Sequence, residues 1–342
     1  LYKADYTLYG FKALKRIKIF ILLCFSLGLL SHCSSERPLE RVQFLMGTHA
    51  RIILYEGTNE DIDDAFSEMR YLEGLMSDFD PNSELSRINR YAGKHYVDIS
   101  NELKEVLEAS INVARETQGT FDPTIGALTI GFYGFGREDS KVRTFNNLNE
   151  AKKLVDYRLL HLHGNKAFLE KEGMMIDLGG IGKGFAVDKA IDMLERRGIT
   201  KGSVSISGDL RVFGKDQIIY VKHPRREGFI ASFTNGGKDL SISTSGDYER
   251  MVNVGGKIYH HILVPQVGSS GNNFQSITLV MEGNSTLSDA YSTALFAMGR
   301  ERAIDFLDNH NKVGAFIVFS DGKIFYNKKF QQLVNDFKLI NR

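Results

Sequence analysis

Two short stretches carry the residue types from which chemistry could be built. In "IDLGGIGKGFAVDKA", Ile176 to Ala190, four glycines lie between an apolar run and a helical pattern, with Asp177 ahead of them and Lys183 among them. Bare backbone at a helix start offers N–H groups to an anion, and glycine permits close approach. The stretch departs from two familiar phosphate loops. Gly184 follows Lys183 where a P-loop has Ser or Thr, and Phe185 stands where a dinucleotide fingerprint has its last glycine. These residues alone leave open both a nucleotide site and a plain strand-to-helix turn. In "STLSDAYSTALFAMG", Asp289 and Thr293 share a helical face at i, i+4 spacing. A carboxylate and a hydroxyl are oxygen donors suited to Mg²⁺ rather than zinc, although the same pairing serves as an ordinary solvated or capping pair. "YHHILVP" sets His260 and His261 on opposite faces of an expected strand, one exposed or toward a site and one packed, although two satisfied structural histidines would read the same way.

The elements that must position these groups follow from periodicity. "NEDIDDAFSEMRYLEGLMSDFD" repeats Ile62, Ala65, Phe66, Met69, Leu72 and Met76 at helical spacing, and "SNELKEVLEASINVARETQG" does so with Leu103, Val106, Leu107, Ile111 and Ala114. "KGFAVDKAIDMLERRG" predicts a helix after the glycine loop, and two more are expected from about Ser288 and near "RERAIDFLDNH". Between and around them, "ARIILYEG", "GSVSISG", "QIIYVKHP", "DLSISTSG", "KIYHHILV" and "FQSITLVME" read as strands, and "GAFIVFSDGKIFY" as a closing hairpin. The expected class is α+β: antiparallel sheet with helices on one side, in one continuous domain.

Composition narrows the setting. A hydrophobic fraction of 42% suits a packed core, and a net charge of +1 leaves no electrostatic footprint for nucleic acid. Lys12, Lys15, Arg16 and Lys18 precede an apolar run from Ile19 to Leu30, short for a membrane span and suited to a signal peptide. "LLSHCSSE" then resembles a bacterial lipobox, with Cys33 at the place that is lipidated. Residues 1–33 are therefore expected to be a signal peptide and 34–342 the functional domain, anchored outside the cytoplasm; a single uncleaved membrane anchor is the other reading and gives the same location. Cys24 and Cys33 are the only cysteines, so that domain is expected to have neither a disulfide nor a Cys metal site.

Taken in order, "FLMGTHARI", "MSDFDPNSELSRIN", "GTFDPTIGAL", "IDLGGIGKGFAVD", "SISGDLRVFG", "STSGDYER", "HHILVPQVG" and "SDAYSTALFAMG" resemble the ApbE-like FAD:protein FMN transferases from about Met46 onward. The resemblance implies an α+β flavin transferase fold. It also implies an activity in which FMN passes from FAD to a Thr or Ser hydroxyl of a partner protein, with release of AMP and a requirement for Mg²⁺. The partners implied are extracytoplasmic subunits of membrane redox pumps. Residue by residue, it assigns Asp177 and Lys183 as FAD contacts and Met46, Phe79, Thr120, Phe121, Asp122 and Ile262 as FAD-lining positions. It assigns Asp289 and Thr293 as Mg²⁺ ligands with the carbonyls of Gly180 and Ser292, and His261 as the general base. Val264 stands where the family commonly has Asp, and Phe79 where Tyr is frequent. Asp289 is expected to be a surface-facing cleft residue. Two other readings use the same residues: hydrolysis of FAD to FMN and AMP, and a lipoprotein that binds FAD without turning it over.

Overall fold

The computed structural model describes residues 37–137, 144–145, 147–248 and 251–340. The expected signal segment with Cys33 lies outside the described residues, as do Glu249 and Arg250 of the "STSGDYER" motif. Among the described residues no helix is long and apolar enough to cross a membrane.

Eight strands form one antiparallel sheet in which spatial order follows chain order: β1 (Leu39–Leu45), β2 (Thr48–Leu54), β3 (Gly202–Ile206), β4 (Asp209–Phe213), β5 (Leu240–Gly246), β6 (Phe274–Glu282), β7 (Gly314–Phe319) and β8 (Ile324–Tyr326). Five helices frame the cleft and its surroundings: α1 (Asn59–Met76), α2 (Asn101–Glu116), α3 (Gly182–Arg196), α4 (Ser285–Met298) and α5 (Arg300–Asn309). Helix α1 begins on a capping box between Thr58 and Asp61 and buries the apolar stripe read from its sequence. Helix α4 starts at Ser285, ahead of the expected Ser288, because Asn284 caps it by accepting from the Leu287 N–H.

Alternation along the strands assigns the two faces of the sheet. On β7, Ala315, Ile317 and Phe319 enter the larger core with the helices, while Phe316 and Val318 enter a second core. That second core is closed by a three-stranded sheet (Ile218–Lys222, Phe229–Thr234, Asn335–Leu339) and by the short helix Lys328–Leu333. Helices α1, α3 and α4 cover the first face, as expected; the helix Lys328–Leu333 on the opposite side was not foreseen.

Strand β5 reverses the usual pattern. Its Leu240 and Ile242 face the second core, while Ser241, Ser243 and Ser245 face α4 and pair with Ser285, Ser288 and Ser292 at 3.0, 2.7 and 2.8 Å. Each buried hydroxyl thereby has a partner, which removes the desolvation cost that an unpaired one would carry. This ladder fixes the rotation of α4 and so sets Asp289 and Thr293, next to it on the helix surface, along the cleft.

Candidate active site

The cleft lies at the end of the sheet where two tight hairpins turn. Met46 and Gly47 connect β1 to β2 with φ of 52° and 71°, the left-handed pair that a two-residue hairpin requires. Methionine is uncommon in that region; its N–H is held by Glu73 Oε1 at 2.6 Å. Ser207, at φ 53°, turns β3 into β4 beside it. The cavity encloses about 790 Å³ between these turns, the start of α3, one face of α4, the Thr120–Asp122 loop and the segment around His261.

Every residue expected in the site lines this cleft except Ser292. Ser292 is buried with its hydroxyl bonded to Ser245 and to the Asp289 carbonyl, on the sheet side of α4. Asp177 is held in place: Oδ1 accepts from Gly179 N–H at 2.7 Å, and Oδ2 from the Thr129 hydroxyl at 2.5 Å. Asp122 has both oxygens engaged, by the Thr124 N–H and hydroxyl and by the Tyr157 N–H. Burial nevertheless pushes its pKa up to about 6. Thr120 Oγ1 accepts from Arg302 on α5 at 3.1 Å, and Phe121 is buried. Phe79 stands about half exposed at the mouth, its ring 5.0 Å from the Arg137 guanidinium.

The two histidines part company, but not across one strand as expected, because the strand stops at His260 and resumes only at Leu263. His260 ends a strand, bonds the Gly271 carbonyl through Nε2 at 2.6 Å and lies edge-on to Phe296, and burial lowers its pKa. His261, just beyond the strand end, lines the cleft beside buried Ile262. Val264 does not line it. It belongs to a two-residue strand, Leu263–Val264, and its carbonyl accepts from Val267 and Gly268 to close a turn.

Asp289 corrects the expectation of a surface-facing residue: it is only 3% exposed. Helix α3 packs so closely on α4 that a Cβ on Gly184 would lie 2.1 Å from the Ser285 carbonyl oxygen. That approach lets the Gly184 N–H donate to Asp289 Oδ2 at 3.0 Å. The glycines of the "IDLGGIGKGFAVDKA" stretch therefore serve helix packing as well as ligand access. Lys183 Nζ lies 3.1 and 3.2 Å from the two Asp289 oxygens, 2.9 Å from Asp209 Oδ2 and 3.3 Å from the Gly179 carbonyl. Burial, and then Asp209, raise the Asp289 pKa against the pull of Lys183. Burial opposes the Lys183 charge, but the two carboxylates outweigh it and hold the ammonium protonated.

The sequence motif "SISGDLRVFG" contains Asp209, yet nothing in its spacing gives that residue a role. Asp78 and Thr129 line the same cleft and likewise escape sequence reasoning. Asp78 accepts from Arg137 at 2.9 Å, and burial together with Asp177 raises its pKa. No spacing rule links these residues to their partners; only the fold does.

The donor chemistry fits a hard divalent cation. Asp289, Thr293 and Gly180 line the same cleft, and Gly180 and Thr293 are close, since a Cβ on Gly180 would lie 3.0 Å from Thr293 Oγ1. Among the described residues no group of three or more His, Cys, Asp or Glu is placed to hold a metal. A cation here would draw on hydroxyl and backbone oxygen beside one carboxylate.

Residues 46–317 match the model of the ApbE family. The chain belongs to that family. It is 25% identical over 334 residues to the FAD:protein FMN transferase of Treponema pallidum, covering 90% of this chain and 92% of that one. It is 30% identical to the protein of the same name from Vibrio cholerae, covering 82% and 87%. The fold superposes on the ApbE protein of Thermotoga maritima with a TM-score of 0.78 at 29% identity, over 88% of this chain and all of that one. The flavin transferase ApbE of Vibrio cholerae gives 0.74 at 25% identity, covering 87% and 99%.

Proposed function

We propose that this ApbE-family chain is an FAD:protein FMN transferase that uses Mg²⁺ and modifies a Thr or Ser hydroxyl of a partner protein, releasing AMP. The observation that carries the reading is the meeting, in one cleft, of His261, the Lys183–Asp289 pair and Thr293. In this reading the adenine dinucleotide lies along the cleft with Phe79 stacking on a ring, and Lys183 with the first N–H groups of α3 facing the diphosphate. His261 takes the proton from the acceptor hydroxyl. The hydroxyl oxygen then bonds to the FMN phosphorus, the bond from that phosphorus to the AMP oxygen breaks, and AMP leaves. Asp289, Thr293 and the backbone carbonyls of Gly180 and Ser292 would hold Mg²⁺, which when bound supplies positive charge to the diphosphate and to the departing AMP. Thr129 and Gly179 keep Asp177 fixed as a wall of the site.

The partners inferred are extracytoplasmic subunits of membrane redox pumps, and the location is the outer side of a bacterial membrane through a lipid on Cys33. The basic and apolar N-terminal run supports this part of the proposal. Mass spectrometry of the purified chain mixed with FAD, Mg²⁺ and an acceptor domain tests the activity. FMN covalently added to the acceptor is the expected result. Free FMN and AMP with an unmodified acceptor would mean a hydrolase, and intact FAD would mean a binding protein; either result rejects the transferase reading.

A further inference from the structure

The charged cluster contains one carboxylate for which FMN transfer itself has no use. Asp209 opens β4, lines the cleft and is 2% exposed. Its carboxylate meets Lys183 Nζ at 2.9 Å, and among the described residues no other side chain pairs with it. Asp289 differs in having a second donor, the Gly184 N–H. The ammonium thus sits among oxygens of Asp209, Asp289 and Gly179, and it touches both oxygens of the carboxylate that the metal reading gives to a divalent cation.

An ammonium and a divalent cation cannot occupy the same face of the same carboxylate, because both are positive and compete for the same lone pairs. When a cation takes Asp289, Lys183 has to let go. A desolvated ammonium must keep an anion, and Asp209 already holds one side of it. Without Lys183, Asp209 in turn would be a buried carboxylate facing no charge. We propose that Asp209 is a positioning residue: it retains the Lys183 ammonium when a divalent cation binds Asp289, so cation binding exchanges one positive charge for another on that carboxylate. The proposal rests on Asp289 being a metal ligand.

Calorimetric titration of the metal alone into the FAD-free chain tests it. Mg²⁺ affinity is expected to fall about tenfold or more in Asp209→Asn, where Asp289 is the one carboxylate left to the ammonium, the size usual for losing a residue that supports a metal ligand. The double variant Lys183→Met/Asp209→Asn, which lacks both the competitor and its alternative partner, should regain most of the wild-type affinity. A second readout follows the ammonium itself in protein labelled with ¹⁵N-lysine, the Lys183 signal being assigned by its loss in Lys183→Met. Saturating Mg²⁺ should shift that signal in the wild type while its protons stay in slow exchange; in Asp209→Asn the same addition should move them into fast exchange with water. Unchanged Mg²⁺ affinity in Asp209→Asn overturns the proposal, and so does a wild-type Lys183 signal indifferent to Mg²⁺. The second result decides even if Asp209→Asn does not fold. A wild type that binds no Mg²⁺ overturns the proposal together with the metal reading.

Discussion

Strand β4 sends two charged side chains, Asp209 and Arg211, toward α3 and α4, and they meet opposite charges there in different ways. Arg211 forms a fork with Asp239, at 2.8 and 2.7 Å, and donates to Asp188 on α3 at 3.0 Å. Asp188 also caps α4, accepting from the N–H groups of Ser285 and Thr286 and from the Thr286 hydroxyl. Burial works against the guanidinium, but its two carboxylates raise its pKa further. Asp209 and Asp289 instead share the single ammonium of Lys183, beside an open cleft. The guanidinium's fixed geometry suits a permanent joint, whereas an ammonium on a flexible stem is a point charge that can change partners. Two acid–base–acid clusters thus tie the same elements together, one away from the cleft and one lining it.

The largest effect that would separate the two is catalytic. His261→Ala is expected to slow single-turnover FMN transfer by roughly 10²–10⁴-fold while FAD affinity is retained, since the base acts only in proton transfer. Wild-type transfer rates in that variant would remove His261 from the mechanism. Next comes the structural cluster. Arg211→Met leaves Asp188 and Asp239 without their cation and should cost about 3–5 kcal/mol in urea unfolding, the usual penalty for breaking a buried pair. Activity per folded molecule should stay near wild type; a catalytic collapse with unchanged stability would reverse the roles assigned to the two clusters. Gly184→Ala is smaller: the added methyl meets the Ser285 carbonyl and pries α3 from α4, at about 1–3 kcal/mol. The smallest effect is a slope. Asp122 titrates near 6 in the fold, above its ordinary 3.8, so the native state binds more protons than the unfolded chain between those values. Its contribution therefore favours folding below about pH 4 and is lost as pH rises toward 6. Urea midpoints measured across that window should lose this downward component in Asp122→Asn.

Much of this arrangement is legible in the sequence, and the rest is hidden for physical reasons. Helices α1, α2 and α3 announce themselves because one face of each must be apolar at helical spacing. Strand β1 was not foreseen: "LERVQFL" keeps Glu40, Val42 and Phe44 exposed, so alternation does not separate apolar from polar. Strand β5 was foreseen, but its serine face was not, since hydroxyls that pair across a strand and a helix look like solvated ones. In the site, Asp289, Thr293 and His261 are named through the resemblance to the family. Asp209 and Asp188 emerge only with the fold, because their partners come from other elements. Asp289 reads as exposed because the closeness of α3, set by Gly184, has no local signature.

AMP release from FAD, followed against Mg²⁺ concentration with acceptor present and compared between wild type and Asp289→Asn, decides whether the cleft works through a cation on Asp289. Release by the wild type should depend saturably on Mg²⁺. In Asp289→Asn the rate should be lower by about 10²–10³-fold, the usual cost of losing one group that stabilises developing charge. Equal AMP release in the two proteins, or wild-type release indifferent to removal of Mg²⁺ by a chelator, would contradict that role for the cation.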